Sequence, residues 1–96
     1  MLVWAIYDIS KNKLRNYVVK ACKKAGLYRV QKSVFVGNVD KNTLDELKIK
    51  SERIIDKETD SVYIFQMCEE DYKKVILLGQ AFDKKFVADQ VLTVIL

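Results

Sequence analysis

Leu2-Val3-Trp4-Ala5-Ile6-Tyr7-Asp8-Ile9-Ser10 is the stretch whose reading decides the fold of this chain. Six apolar residues run without a break into one acid. Leu2, Trp4 and Ile6 alternate with Val3, Ala5 and Tyr7, so both sides of the segment are apolar. That is the pattern of a strand buried on both faces. The strand Leu2 to Tyr7 therefore delivers Asp8 to its own C-terminal end. The backbone there is rigid while the side chain reaches solvent, an arrangement that suits a functional carboxylate.

A helix start follows directly. Ser10 or Asn12 is placed to cap it by accepting a hydrogen bond from a free backbone N–H. Leu14, Val18, Ala21, Cys22 and Ala25 recur at helical spacing as its buried stripe, Lys13, Lys20 and Lys24 lie on another face, and Gly26 ends it. Leu27 to Val36 is extended in character. The polar Gln31-Lys32-Ser33 in its middle marks either a tight hairpin or a strongly bent strand, and two strands is the preferred reading. Gly37-Asn38 closes the run.

Thr43 and Glu46 fit a capping box for a second helix, with Val39 ahead of it as a hydrophobic staple. Leu44, Leu47, Ile54 and Ile55 form its buried face, with Ser51 between them. Lys57 to Asp60 is the turn out. Ser61 to Cys68 is the next strand, again apolar at both parities. Glu69-Glu70-Asp71 reads as a solvated charged turn rather than a second metal site. Val75 to Leu78 reads as a short strand ended by Gly79, and Val91 to Leu96 as a final strand.

Strand, helix, two strands, helix, strand, then added strands is an α+β order. It matches the ferredoxin-like βαββαβ arrangement with additional C-terminal strands, in one domain over 1–96. Its two helices cover one face of the sheet. With strands one and four apolar on both faces and no helix left, the economical cover is a second copy packed sheet to sheet, a homodimer. Residues 80–96 then form a tail, whose strand Val91 to Leu96 pairs with the partner's sheet.

The chain has 96 residues, half of them apolar, so a core can form without disulfides. Cys22 and Cys68 form no CxxC pair and read as buried small apolar residues in a reducing compartment. The sequence contains no His, which excludes a histidine base and argues against structural zinc. No stretch is long and apolar enough to span a bilayer, and no basic segment precedes the first apolar run, so a cytoplasmic protein is expected. Net charge is +4. Between Asp8 and Asp40 there is no acid, yet Lys11, Lys13, Arg15, Lys20, Lys23, Lys24, Arg29 and Lys32 fall there. Such one-sided charge suits nucleic acid. A solvated helix face rich in lysine explains the same composition equally well.

Tyr7-Asp8-Ile9-Ser10, Lys13-x-Arg15 and Gly26-Leu27-x-Arg29-Val30-Gln31-x-Ser33-Val34-Phe35-x-Gly37 resemble the small CRISPR-associated endonuclease of the spacer-adaptation module. By motif the resemblance spans residues 1 to 37, and by element order and size the whole chain. It implies a ferredoxin-like homodimer in which two copies of Asp8 face each other and hold a divalent metal, usually Mg²⁺. It implies metal-dependent cleavage of single-stranded RNA or double-stranded DNA during spacer acquisition, in partnership with the CRISPR integrase. Some relatives act instead as a non-catalytic DNA-binding scaffold that bridges integrase dimers. Carried over by position, Asp8 is the metal ligand, and Arg15 and Arg29 join it as catalytic residues. Tyr7, Ser33 and Phe35 support the site. Two positions depart from the pattern: Val36 stands where many relatives carry Glu, and Tyr17 where some carry a basic residue.

Read from spacing alone, Asp8 is a cap or turn residue at a strand–helix junction; the surrounding motif favours the metal ligand. Mg²⁺ keeps most of its waters and often needs only one or two protein carboxylates, so a symmetric pair suffices. With no general base in view, the metal must activate its own water. Arg15 and Arg29 are suited to hold phosphate in bidentate fashion. Lys11, Lys13, Lys20, Lys24, Arg29 and Lys32 are the expected nucleic-acid contacts.

Overall fold

The central strand β1 (Leu2–Asp8) is paired with a neighbour along each edge, and its two apolar faces enter separate core clusters, Val3, Ala5 and Tyr7 in one and Leu2 and Trp4 in the other. The computed structural model describes residues 1–79. Their remaining elements are α1 (Asn12–Lys24), β2 (Tyr28–Gln31), β3 (Val34–Asn38), α2 (Lys41–Ile54), β4 (Ser61–Met67) and α3 (Glu69–Lys74). The sheet order is β2-β3-β1-β4, with β1 antiparallel to β3 and β4, and β2 antiparallel to β3. This is the expected ferredoxin-like order. The tail 80–96, with the strand expected over Val91 to Leu96, lies outside the described residues.

The hairpin reading of residues 27–36 holds. β2 and β3 are joined at Lys32-Ser33, and the register shifts between Arg29 and Gln31. Two glycines make this region possible. At Gly26 φ is +91°, a left-handed conformation that closes α1. There Leu27 N–H donates to Cys22 O and Gly26 N–H to Lys23 O, the paired bonds of a Schellman ending. At Gly37 the need is space, because a Cβ would stand 3.1 Å from Gly26 O and 3.2 Å from Leu27 Cα.

Both helix starts differ from expectation. Lys11 is the N-cap of α1, and no side chain caps it. The Asn12 oxygen is occupied instead by Arg15 Nη1 at 2.8 Å, and the Ser10 N–H turns to Asp60. α2 starts earlier than the Thr43–Glu46 box implies. Asp40 is its N-cap, accepting from Thr43 N–H at 2.7 Å. Aspartate is a strong N-cap, and from that position Val39 and Leu44 meet in the core as the staple pair.

α1 and α2 seal one face of the sheet. Val3, Ala5, Tyr7, Val18, Cys22, Phe35, Leu44 and Leu47 pack together there. Each large apolar side chain buried in this way contributes about 1.5–3 kcal/mol. Cys22 behaves as the expected small apolar residue, and burial pushes its thiol up to about 12. Cys68 does not, since it is exposed.

The opposite face corrects two expectations. Glu69-Glu70-Asp71 is the first turn of α3, where acids complement the helix dipole, with Lys73 and Lys74 in its last turn. Val75 to Leu78 forms no strand among the described residues. Val75 and Leu77 pack towards the sheet, while Ile76 and Leu78 point outward. A third helix is thus available to the second face after all. Its Tyr72 is buried against Trp4, ring centroids 6.0 Å apart, in a small cluster with Leu2 and Val36. That cover reaches Met67 at the end of β4 but stops short of Tyr63 and Phe65, which remain 56% and 48% exposed.

Candidate functional site

Asp8 ends β1 opposite Ser61, the first residue of β4. By the alternation of the strand it shares the open face with Leu2, Trp4 and Ile6. It is exposed, and its carboxylate has no hydrogen-bond or ion-pair partner among the described residues. The next residue, Ile9, is buried and roots the turn in the core.

The backbone behind Asp8 is held from two sides. Arg15 donates to Ile9 O from Nε (3.2 Å) and Nη2 (2.9 Å), and to Ser10 O from Nη2 (3.3 Å). On the other side the Ser10 N–H donates to Asp60 Oδ1 at 3.1 Å. Asp60 also accepts from Asp56 N–H at 3.0 Å and Thr59 Oγ1 at 3.2 Å. The Asp56 and Ser10 amides hold its carboxyl below the usual carboxylate range.

A second cluster forms where β1 meets the β2–β3 hairpin. The Lys32 carbonyl accepts from Tyr7 Oη (2.7 Å), Arg29 Nη2 (2.7 Å) and Arg29 Nε (3.1 Å). Tyr7 N–H donates to Ser33 O at 3.1 Å. The Arg29 guanidinium lies 6.0 Å from the centroid of Phe35, whose ring is tilted against Tyr7 at 6.3 Å. Burial raises the pKa of Tyr7, and the Arg29 charge opposes the shift. The hydroxyl is therefore a neutral donor at ordinary pH.

The structure therefore gathers Tyr7, Arg29, Lys32, Ser33 and Phe35 at the hairpin and leaves Asp8 beside a separate clamp. It also changes what the arginines are seen to do. Both spend guanidinium donors on backbone carbonyls, which shapes loops. Phe35 is fully buried and Tyr7 nearly so, which makes them core residues rather than stacking platforms. Lys11 and Lys13 are exposed at the Asp8 end of α1. Lys20 and Lys24 are exposed farther on, with Lys24 about 18 Å along the axis from Asn12 at 1.5 Å per residue. The basic residues thus line a length of helix and do not converge on one point.

Asp60 escaped the sequence reading because it was absorbed into the turn Lys57 to Asp60. Its signal was present: an acid closing a turn directly before the strand that pairs with Asp8. Among the described residues no three of His, Cys, Asp and Glu gather into a metal-binding group. As to fit, the exposed oxygen donor of Asp8 suits a hard, well-hydrated divalent cation, which keeps most of its waters and often takes only one or two protein carboxylates.

The family model for "CRISPR associated protein Cas2" matches residues 1–75. A protein of Desulforudis audaxviator named "CRISPR-associated endoribonuclease Cas2" is 39% identical over 67 residues, which is 70% of this chain and 63% of that relative. The matched part thus spans less than two thirds of its length. A protein of Halalkalibacterium halodurans named "CRISPR-associated endonuclease Cas2" is 37% identical over 84 residues, covering 82% of this chain and 86% of the relative. Among solved structures, Streptococcus pyogenes Cas2 superposes with a TM-score of 0.70 at 31% identity, covering 82% of this chain and all of that one.

Proposed function

This chain belongs to the CRISPR-associated Cas2 family, and from that premise we propose that it is a metal-dependent endonuclease with Asp8 as its metal ligand. The relatives' names supply the nuclease activity. The single observation that carries the assignment to Asp8 is its setting: an exposed carboxylate on a backbone clamped by Arg15 and Asp60.

A sheet-to-sheet homodimer supports the chemistry. Asp8, Tyr63 and Phe65 share the uncovered face, so a second copy laid on the aromatics brings another Asp8 towards the first. The pair would hold Mg²⁺, which supplies an activated water and polarises a phosphoryl oxygen. The chain's own residues do the rest. Arg15 fixes the Ile9 and Ser10 carbonyls. Arg29 and Tyr7 fix the hairpin, and Lys11 and Lys13 offer cations to the phosphate backbone at the Asp8 end. The substrate is single-stranded RNA or double-stranded DNA, and the setting is spacer acquisition with the CRISPR integrase.

The test is Asp8→Asn assayed with Mg²⁺ on labelled RNA and duplex DNA. Cleavage by the native chain and none by the variant is expected. Cleavage retained by the variant sinks the assignment.

The length of exposed lysine along α1 favours one alternative, a non-catalytic DNA-binding scaffold that bridges the integrase. In that case Asp8→Asn leaves spacer acquisition intact, and reversing the charge at Lys20 and Lys24 abolishes DNA binding.

A further inference from the structure

Asp60 is a carboxylate in an unusual place. It is only 9% exposed, yet it makes no ion pair among the described residues. Its oxygens are directed at N–H and O–H donors from two separate loops. Oδ2 takes the Asp56 N–H, and Oδ1 takes the Thr59 hydroxyl. Both of these bonds stay within the turn between α2 and β4, where a plain turn residue would stop. The third bond does not: Oδ1 also takes the Ser10 N–H, 50 residues away and two residues beyond Asp8.

That bond completes an enclosure around the chain behind Asp8. Asp8 itself is in register with Ser61, the residue after Asp60. The Ile9 carbonyl faces Arg15, and the Ile9 side chain is in the core. Without Asp60 the Ser10 amide loses its acceptor and the β1–α1 turn is held on one side only. An exposed carboxylate has no packing of its own to fix it, so its position is only as definite as its backbone. Charge-assisted bonds to N–H groups are stronger than neutral ones, which suits a carboxylate to this task.

We propose that Asp60 is a positioning residue for the Asp8 carboxylate, acting through the Ser10 amide; the role rests on the reading of Asp8 given above. Asp60 does not contact substrate. Its loss displaces Asp8 and leaves the binding surface unchanged.

The test compares Asp60→Asn and Thr59→Val with the native full-length chain. Asp60→Asn should lower kcat by about 10- to 100-fold, the usual cost of removing a group that orients a metal ligand. It should raise the Mg²⁺ concentration needed for half-maximal activity, and KM for the labelled substrate should stay unchanged. In the amide NMR spectrum the Ser10 signal should shift and exchange faster with solvent. Thr59→Val removes a bond to the same oxygen without touching the Ser10 link, and should keep native kcat and Mg²⁺ dependence. Asparagine keeps one amide oxygen that can still accept, so Ser10→Pro, which deletes the donor outright, is measured beside it and should give the same kinetic pattern; native kcat and Mg²⁺ dependence there would overturn the role.

Native kcat and Mg²⁺ dependence in Asp60→Asn, with a shifted Ser10 amide, would overturn the positioning role alone. So would an equal loss in Thr59→Val, which would mean general loosening of the turn. Full cleavage by Asp8→Asn, by contrast, would remove the premise and the role with it.

Discussion

On the sheet face covered by α1 and α2, Val3, Phe35, Leu44 and Leu47 are each at most 2% exposed. On the opposite face Tyr63 and Phe65 keep about half their surface in one protomer, beside a core of Leu2, Trp4, Val36 and Tyr72. The difference lies in the length of helix available. Helices of 13 and 14 residues seal the first face; a helix of 6 residues seals only the middle of the second. The closed face makes the protomer stable. The open face carries Asp8 and is where the proposed partner would lie. Large apolar patches left open on a soluble protein commonly mark such contacts.

The contrast is broken most severely from the closed side. Phe35→Ala should destabilise the chain by about 3–5 kcal/mol, because a fully buried ring leaves a cavity that the flanking strands cannot fill. Urea unfolding would measure it, and a loss close to zero would mean that this face is not the main core. Gly37→Ala should cost about 1–3 kcal/mol by overpacking, since its Cβ would press on backbone atoms of Gly26 and Leu27. At Gly26→Ala the conflict is conformational, and the left-handed φ should cost about 1–2 kcal/mol.

Changes on the open side should act on association and not on folding. Tyr63→Ala combined with Phe65→Ala should alter protomer stability by no more than about 0.5 kcal/mol per site, as for exposed positions generally. The same pair should weaken self-association in analytical ultracentrifugation. Unchanged association would place any second copy elsewhere.

The smallest effect is on acid stability. The carboxyls of Asp40 and Asp60 are both held below the ordinary aspartate range in the folded chain, Asp40 by the Thr43 amide and Asp60 by those of Asp56 and Ser10. Unfolding returns them to ordinary values, so between the two the unfolded chain binds more protons. Their stabilisation is therefore complete above the unfolded pKa and is lost as pH falls through the folded one. Thermal melts below about pH 4 should show a shallower acid decline in Asp60→Asn than in the native chain. An identical slope would count against the Asp60 network.

Much of this could be read directly from the residues. Double-sided apolarity made β1 a buried strand, and Gly26 and the polar break at Lys32-Ser33 marked the α1 ending and the hairpin. Other features depended on contacts across the chain. Asp40 displaced Thr43 as a cap because its oxygen reached the Thr43 amide. The Ile9 and Ser10 carbonyls came within reach of Arg15, a contact that its spacing did not announce. Glu69 to Asp71 became a helix turn because Tyr72 behind them found Trp4.

The sequence alone determined which residues are apolar at strand and helix spacing, and so the order of elements and the acid at the end of the first strand. Spacing is a local property, and burial follows it closely. The tertiary structure decided which donor meets which acceptor across 25 to 50 residues, as with Tyr7 on the Lys32 carbonyl and Ser10 on Asp60. Hydrogen bonds are short and directional, so such pairings exist only once the sheet has brought the loops together.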